Sequence, residues 1–505
     1  MKVKYCSFTR SVIIIVLFLG VAVRGYTQKH DYHWLNGYDA EYGGIFGNFE
    51  LNFHNQPVTI DPIEFNNADL SDQVTSFSNA DGKLLLVSNG CRLFDALGHV
   101  LPGGDTLNPG EIYNSWCKNN GSYPVMFNMI MLPQENCVYL FHNRVVLDSQ
   151  FGITLTPSYL SKVDLGGDSI TTEFTNNIVS TTKVESPAAC KHGNGRDWII
   201  MTPEHRKATY RTYVLDIDGI QSLNTQTIGY QYPYPECDAY GLHSFSPDGT
   251  KYVRYNNTCG LSFFDFDRCT GELSNERLIS LPEVFKPGAF TVFSSNSRYC
   301  YYNSSRVIMQ VDMEDAILQP DTIAILDTFP TPTGAGFVMM QRGPDGRIYI
   351  SPGSSTQTYH VIEYPDLKGK ACWARPNAIP LPYLSFLALP NIPNYRLGAW
   401  KDSPCDTLGL SEVPSEIPSS FGHRIYPNPV QDGFTLELDE GLQHAFAWQL
   451  EVFDLAGRMV YQGSIPPYAF LHRVQSGSWS SGMYYAVLRD ETGTILAVDK
   501  LVKME

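Results

Sequence analysis

One phrase constrains this chain more than any other: a polar turn followed by a short aromatic and β-branched strand, returning at a nearly fixed interval. It reads Ser78-Asn-Ala-Asp-Gly-Lys-Leu-Leu-Leu-Val87, Pro133-Gln-Glu-Asn-Cys-Val-Tyr-Leu-Phe141, Gly193-Asn-Gly-Arg-Asp-Trp-Ile-Ile200, Ser246-Pro-Asp-Gly-Thr-Lys-Tyr-Val253, Ser294-Ser-Asn-Ser-Arg-Tyr-Cys-Tyr301 and Gly343-Pro-Asp-Gly-Arg-Ile-Tyr-Ile350. With Asp81, Glu135, Gly195, Asp248, Asn296 and Asp345 as markers, the intervals are 54, 60, 53, 48 and 49 residues. A period of that length means a repeat architecture. The Asp-Gly and Asn-Ser steps supply tight turns, and the alternation after them gives each strand two packing faces. A small sheet cannot bury both faces alone, whereas a closed ring of sheets buries them against one another and shelters the strand edges. Between His30 and Trp400 no stretch holds a 3.6-residue period for three turns, so residues 26–403 are read as an all-β fold, a β-propeller. The 371 residues from 30 to 400 divided by the period give about seven blades. Six or eight follow if stretches 31–60 and 366–400 share one blade and lock the ring.

The first 25 residues are a different kind of segment. Lys2, Lys4 and Arg10 precede an apolar run from Val12 to Val23, too short to span a bilayer comfortably, with small residues before Tyr26. This predicts a signal peptide, 1–25, and no transmembrane segment in the mature chain. Its loss removes four basic groups, taking the formal charge from -16 to -20. Such a chain lacks the clustered cations that nucleic acid or an anionic membrane would require. Eleven cysteines less Cys6 leave ten, and an even number in an exported chain predicts structural disulfides.

From Pro404 to His423 the composition turns to Pro, Ser and Glu, so 404–423 is read as a linker. A new alternating pattern then runs through Phe434-Thr-Leu-Glu-Leu438, Trp448 to Phe453, Arg458 to Tyr461, Met483 to Leu488 and Ile495 to Val502, which predicts a small Ig-like β-sandwich over 424–505.

Two resemblances rest on these residues. The Ser246-Pro-Asp-Gly249 and Gly343-Pro-Asp-Gly346 turns look like WD40-like and TolB-type propeller repeats. Together with Lys191 to Trp198, Phe264 to Gly271 and Leu389 to Gly398, they resemble a class of exported propeller-like proteins of Bacteroidota; this implies a fold and a bacterial group but no activity. The C-terminal segment resembles the type A sorting domain of the type IX secretion system. The matching positions are Pro427, Asn428, Pro429 and Gly433, then Gly457 in the Val452 to Arg458 turn, Gly482 and Tyr484, and the basic end Lys500 and Lys503. That resemblance implies recognition by the outer-membrane translocon after Sec export, and a mature protein on the outer cell surface or in the medium.

Motifs for chemistry are sparse. There is no GxSxG elbow, HExxH, P-loop or dinucleotide fingerprint. His192 and Asp197, with Lys191 and Arg196, are candidates for a base and an acidic-sugar pocket, although the same residues suit a blade turn in which they satisfy buried backbone groups. Tyr230, Tyr232 and Tyr234, interleaved with Pro233 and Pro235, offer a sugar-stacking platform or ordinary packing. Asp216 with Asp218, and Asp265 and Asp267 with Glu272, could gather calcium; lacking the twelve-residue loop pattern, they read better as turn caps, and no metal or other cofactor is assigned. The expected function is therefore a secreted or surface binding or structural protein rather than an enzyme, whose partner is a polysaccharide or a surface protein. The alternative is a polysaccharide-degrading hydrolase or lyase with its site at the channel mouth.

Overall fold

The computed structural model describes residues 28–406 and 423–504, apart from 39, 66–67, 125–126, 149–151, 168, 234–236, 238–240, 282–289, 327–334, 402, 439–446, 455–457, 467–468, 470 and 491–494. The signal peptide, most of the linker, Tyr234 and Gly457 lie outside the described residues.

Among the described residues before 386, all sheets are antiparallel and visit their strands in chain order. The first is His33–Tyr38, Gly47–Asn52 and Thr59–Ile63; the second is Thr75–Ser78, Leu84–Ser88 and Leu93–Asp95. Five four-stranded sheets follow. Their innermost strands are Met129–Gln134, Ala188–Lys191, His243–Phe245, Thr291–Phe293 and Met340–Arg342. Second strands such as Trp198–Pro203 and Tyr299–Asn303 are buried at every position, because a neighbouring sheet covers each face. Fourth strands such as Gly219–Thr227 lie at the rim and are polar and largely exposed. Innermost strands of successive sheets pack side by side from His33–Tyr38 through Thr75–Ser78 to Met129–Gln134, and from Ala188–Lys191 through His243–Phe245 and Thr291–Phe293 to Met340–Arg342. This mostly β arrangement is propeller-like.

The alternative in which the two ends of the repeat region share one blade does not occur among the described strands. Thr59–Ile63 completes the first sheet on its own, and Ala374–Ser385 stays in the seventh as its outer strand. The two sheets meet instead by packing: Trp34 and Phe53 touch Tyr349, and Leu384 N–H donates to Ile45 O at 2.9 Å. Strand-sharing would have required the N-terminal segment to lie at the edge of the seventh sheet, an edge that residues 374–385 already pair.

Simple strand order gives the fold two ends. Turns between first and second strands, and between third and fourth, lie at one end, here the hairpin end. Turns between second and third strands, and the connections from sheet to sheet, lie at the other, the crossover end. After Ser385 the chain runs across the innermost strands. Asn391 Nδ2 donates to Phe127 O and Pro187 O, Asn394 Nδ2 to Pro247 O at 2.8 Å, Tyr395 Oη to Met131 O at 2.8 Å, and Trp400 N–H to Gly193 O at 2.7 Å. A disulfide between Cys269 and Cys405, 136 residues apart in sequence, ends this strap. Closing so long a loop restricts the unfolded chain, so Cys405→Ser is expected to lower stability by about 2–4 kcal/mol, measured by denaturation of the oxidised protein.

Disulfides also join Cys91 to Cys117 and Cys237 to Cys259, but the pairing of all ten cysteines is not realised. Cys137, Cys190, Cys300 and Cys372 remain thiols. Cys190 and Cys300 lie within strands facing neighbouring sheets, and burial pushes the Cys190 thiol up to about 12, leaving it protonated and inert.

Residues 423–504 form a three-stranded sheet, His423–Tyr426, Gly433–Leu438 and Leu471–Gln475, and a four-stranded one containing Trp448–Asp454, Met459–Ile465, Gly482–Arg489 and Ile495–Lys503. Phe434, Leu436 and Val474 from the first share a core with Leu450, Val452, Leu488 and Leu501 from the second. Asn428 holds the last strand by donating to Lys500 O at 2.6 Å and accepting from Val502 N–H at 3.0 Å. A Cβ at Gly433 would sit 2.5 Å from Val474 O, so the approach of these strands requires glycine there. Tyr484 Oη donates to Ser480 O, and Lys503 is buried with its Nζ on Met504 O.

Candidate functional site

The residues singled out around His192 lie at the hairpin end, beneath the strap. His192 Nδ1 accepts from Asn194 N–H at 3.2 Å, which leaves Nε2–H to donate to Cys269 O at 3.2 Å. Both ring nitrogens are committed, so this imidazole has no lone pair for a substrate proton. Asp197 accepts from Arg196 at 2.7 and 3.1 Å and from Asn194 Nδ2 at 2.6 Å. Burial would raise its carboxyl, yet those bonds hold it below the ordinary range. Lys191 Nζ lies 4.0 Å from the Trp198 ring centre and donates to Arg196 O, and burial lowers it to about 8. Trp400 N–H sits on Gly193 O and Arg268 bonds Lys191 O, His192 O and Gly398 O, so a strap covers the cluster.

Of the three tyrosines Tyr234 lies outside the described residues, and Tyr230 and Tyr232 do not share one flat face. Tyr232 is buried, its hydroxyl bonded to Ser262 Oγ at 2.9 Å, and Tyr230 meets it edge-on at 87°. Two of the acids considered for calcium cap their own turns, Asp267 accepting from Cys269 and Thr270 N–H and Asp216 from Asp218 N–H, while Asp265 accepts from Asn275 Nδ2 on the neighbouring strand. Among the described residues no three metal-ligating side chains converge.

At the crossover end the structure assembles a group for which the sequence has no motif. Glu185 lies in the connection entering the fourth sheet, His243 opens the innermost strand of the fifth, and Arg254 is its cross-strand partner. Arg254 Nε donates to Glu185 Oε2 at 3.0 Å and its Nη2 to Oε1, while its Nη1 holds Lys207 O. The guanidinium also stacks 4.0 Å from the Tyr232 ring centre. His243 Nε2 lies 3.2 Å from Glu185 Oε2, an ion-pair approach without hydrogen-bond geometry, and neither ring nitrogen has a hydrogen-bond partner among the described residues. All three side chains are buried. Burial alone would raise the Glu185 carboxyl, but Arg254 and His243 outweigh it and bring it to about 2. Burial lowers His243 despite that carboxylate. At neutral pH the group is therefore a carboxylate, a guanidinium and a neutral imidazole.

Of this group His243 borders a cavity of about 80 Å³ along the innermost strands of the fourth to seventh sheets. His243, Ser244, Gln341, Arg342, Asn391 and Asn394 supply polar groups to its wall, and Phe127, Leu242 and Ile392 apolar ones.

Comparison with known proteins bears on both halves of the chain. Residues 424–504 match the family model of the secretion system C-terminal sorting domain. No curated protein matches the chain. Among solved structures it is similar to a candidate 6-phosphogluconolactonase from Bacteroides uniformis ATCC 8492, at 14% identity over 66% of this chain and 92% of that one, TM-score 0.42. A protein of unknown function from Desulfotomaculum acetoxidans DSM 771 gives 12% identity, 71% and 99% coverage and a TM-score of 0.39. The periplasmic gluconolactonase of Pseudomonas aeruginosa gives 10% identity, 88% and 98% coverage and 0.36. Lactonases recur among these matches, and the expectation of a non-enzyme is given up; at such identities and TM-scores the matches assign neither activity nor substrate to this chain. Among the described residues no helix is long and apolar enough to cross a membrane. The chain ends in a type IX sorting domain and is an exported protein of the cell surface or the medium.

Proposed function

We propose that this protein is an exported hydrolase of sugar-derived substrates, with its reaction centre at Glu185 and His243 where the channel meets the crossover end. We read its sheets as seven blades of one ring, residues 26–403, joined through the linker 404–423 to an Ig-like sandwich, 424–505. The observation that carries the catalytic reading is a buried imidazole lining a cavity, with a carboxylate oxygen 3.2 Å from Nε2 and neither ring nitrogen hydrogen-bonded. The Glu185 carboxylate favours the tautomer with the proton on Nε2, which leaves the Nδ1 lone pair to accept a proton from water. The hydroxide so formed adds to a substrate carbonyl, and the imidazolium returns the proton to the departing alkoxide. Arg254 anchors Glu185 and keeps it ionised. A single carboxylate-backed imidazole fits acyl hydrolysis, of a lactone or sugar ester, better than glycoside cleavage, which uses a pair of carboxyls about 5 to 9 Å apart.

The test is turnover by the oxidised mature chain on sugar lactones, acetylated sugars and soluble polysaccharides, scoring acid release and new reducing ends together. Acid release is expected, with His243→Asn lowering kcat at least about 100-fold at an unchanged melting temperature. The low-pH limb of kcat/KM should fall below the ordinary imidazole range, since only neutral His243 is a base. Reducing ends without acid would replace acyl hydrolysis by glycoside cleavage. Inertness on every substrate, or full activity of His243→Asn, would remove the assignment.

A further inference from the structure

At the hairpin end, away from the Glu185 group, residues 363–373 join Thr356–Ile362 to Ala374–Ser385 in the seventh sheet. The sixth sheet holds this turn rigidly. Tyr301 Oη donates to Pro365 O at 2.7 Å, Gln310 bonds Leu367 O at 2.8 Å and Gly369 N–H at 2.6 Å, and Asn296 N–H donates to Asp366 at 2.9 Å. From this fixed base Tyr364 and Trp373 project into solvent, 54% and 51% exposed, with ring planes within 13° of parallel and centres 5.9 Å apart.

Trp373 is the unexpected residue. Its backbone is left-handed, φ 54° and ψ 62°, a conformation that suits glycine or asparagine and is an outlier for a bulky side chain. Such strain persists where something other than local stability selects the residue. Packing is not that reason, because half the indole faces water. The ring is nonetheless held in place: the Arg375 guanidinium lies 4.8 Å from its centre and is fixed by Glu363 Oε1 at 2.7 Å, whose other oxygen faces Arg347 at 3.5 Å. A rigid, exposed pair of near-parallel aromatic rings bordered by planar polar side chains matches one ligand chemistry. The apolar C–H face of a pyranose ring stacks on aromatic faces, while its equatorial hydroxyls reach a carboxylate and a guanidinium. We propose that Tyr364 and Trp373, with Glu363 and Arg375 at their border, form a glycan-binding site separate from the channel, which holds the exported protein on polysaccharide.

The experiment is affinity electrophoresis of the oxidised mature chain through gels containing soluble neutral and acidic polysaccharides, with Kd from the retardation. At least one polysaccharide should retard the wild type. Trp373→Asn and Tyr364→Ala should each weaken that binding at least tenfold. Trp373→Asn should melt no lower than the wild type, since asparagine tolerates the left-handed backbone, and a structural role for the indole would give the opposite result. His243→Asn should bind like the wild type, so loss of turnover and loss of retention report separately on the two sites. The site is refuted if no polysaccharide retards the wild type, or if both aromatic variants are retarded equally with it.

Discussion

Glu185→Ala should destabilise the repeat domain by about 3–5 kcal/mol, because it leaves the fully buried Arg254 guanidinium without its counter-charge. The charge cannot be shed, since an arginine keeps its proton at any pH the fold survives. Arg254→Met in the same background should restore part of the loss by removing the unpaired charge, a sign reversal that a simple contact-counting view does not anticipate. The pH dependence has a definite sign. Glu185 sits at about 2 in the fold against an ordinary value of 4.5, so the unfolded chain takes up its proton first as the pH falls. Its stabilisation is complete above about pH 4.5 and fades as the pH drops toward 2. Urea denaturation at neutral pH and at about pH 3 should show a wild-type acid limb that Glu185→Ala flattens. Equal stability of wild type and Glu185→Ala at neutral pH would mean that Arg254 is solvated and that the channel-end group is not built as described.

Removal of residues 424–505 should abolish delivery across the outer membrane. Residues 424–504 match the sorting-domain family, and they fold around a core of their own, so their loss leaves the repeat region's cores intact. The truncated protein is expected in the periplasm, folded and protected from protease added to whole cells, while the full chain appears on the surface or in the medium. Fractionation with protease shaving checks both. Undiminished surface delivery of the truncated chain would show that the address lies elsewhere. Asn428, which bonds the backbone of the last strand at both Lys500 and Val502, links the Pro-Asn-Pro signature to the basic C-terminal end. Sequence comparison sees these as separate motifs, but in the fold they are one structure.

The repeat was legible because its cause is local. Each Asp-Gly or Asn-Ser turn and the strand after it are set within about ten residues, and the same is true of the sorting domain's alternating strands. The repeat's period, the mostly β class and the export address therefore follow from the amino-acid order alone. So did the turn-capping use of Asp267 and of Asp216, since the amides they cap lie two or three positions away.

Sites did not follow, and the reason is distance along the chain. Glu185 and His243 are 58 residues apart, one in the connection entering the fourth sheet and the other in a strand of the fifth, and neither stands in a recognisable motif. Conversely, Lys191, His192, Arg196 and Asp197 look like chemistry because they are adjacent, yet adjacency in a tight turn spends their polar atoms on each other and on nearby carbonyls. Nothing before residue 200 announces that residues 391–405 will return to cover that turn. Trp373 could be named from sequence, but its left-handed backbone could not. Local physics wrote the repeated sheets and the address into the sequence; which polar groups end up paired, covered or open to a cavity is a property of long-range packing, and only the tertiary structure decides it.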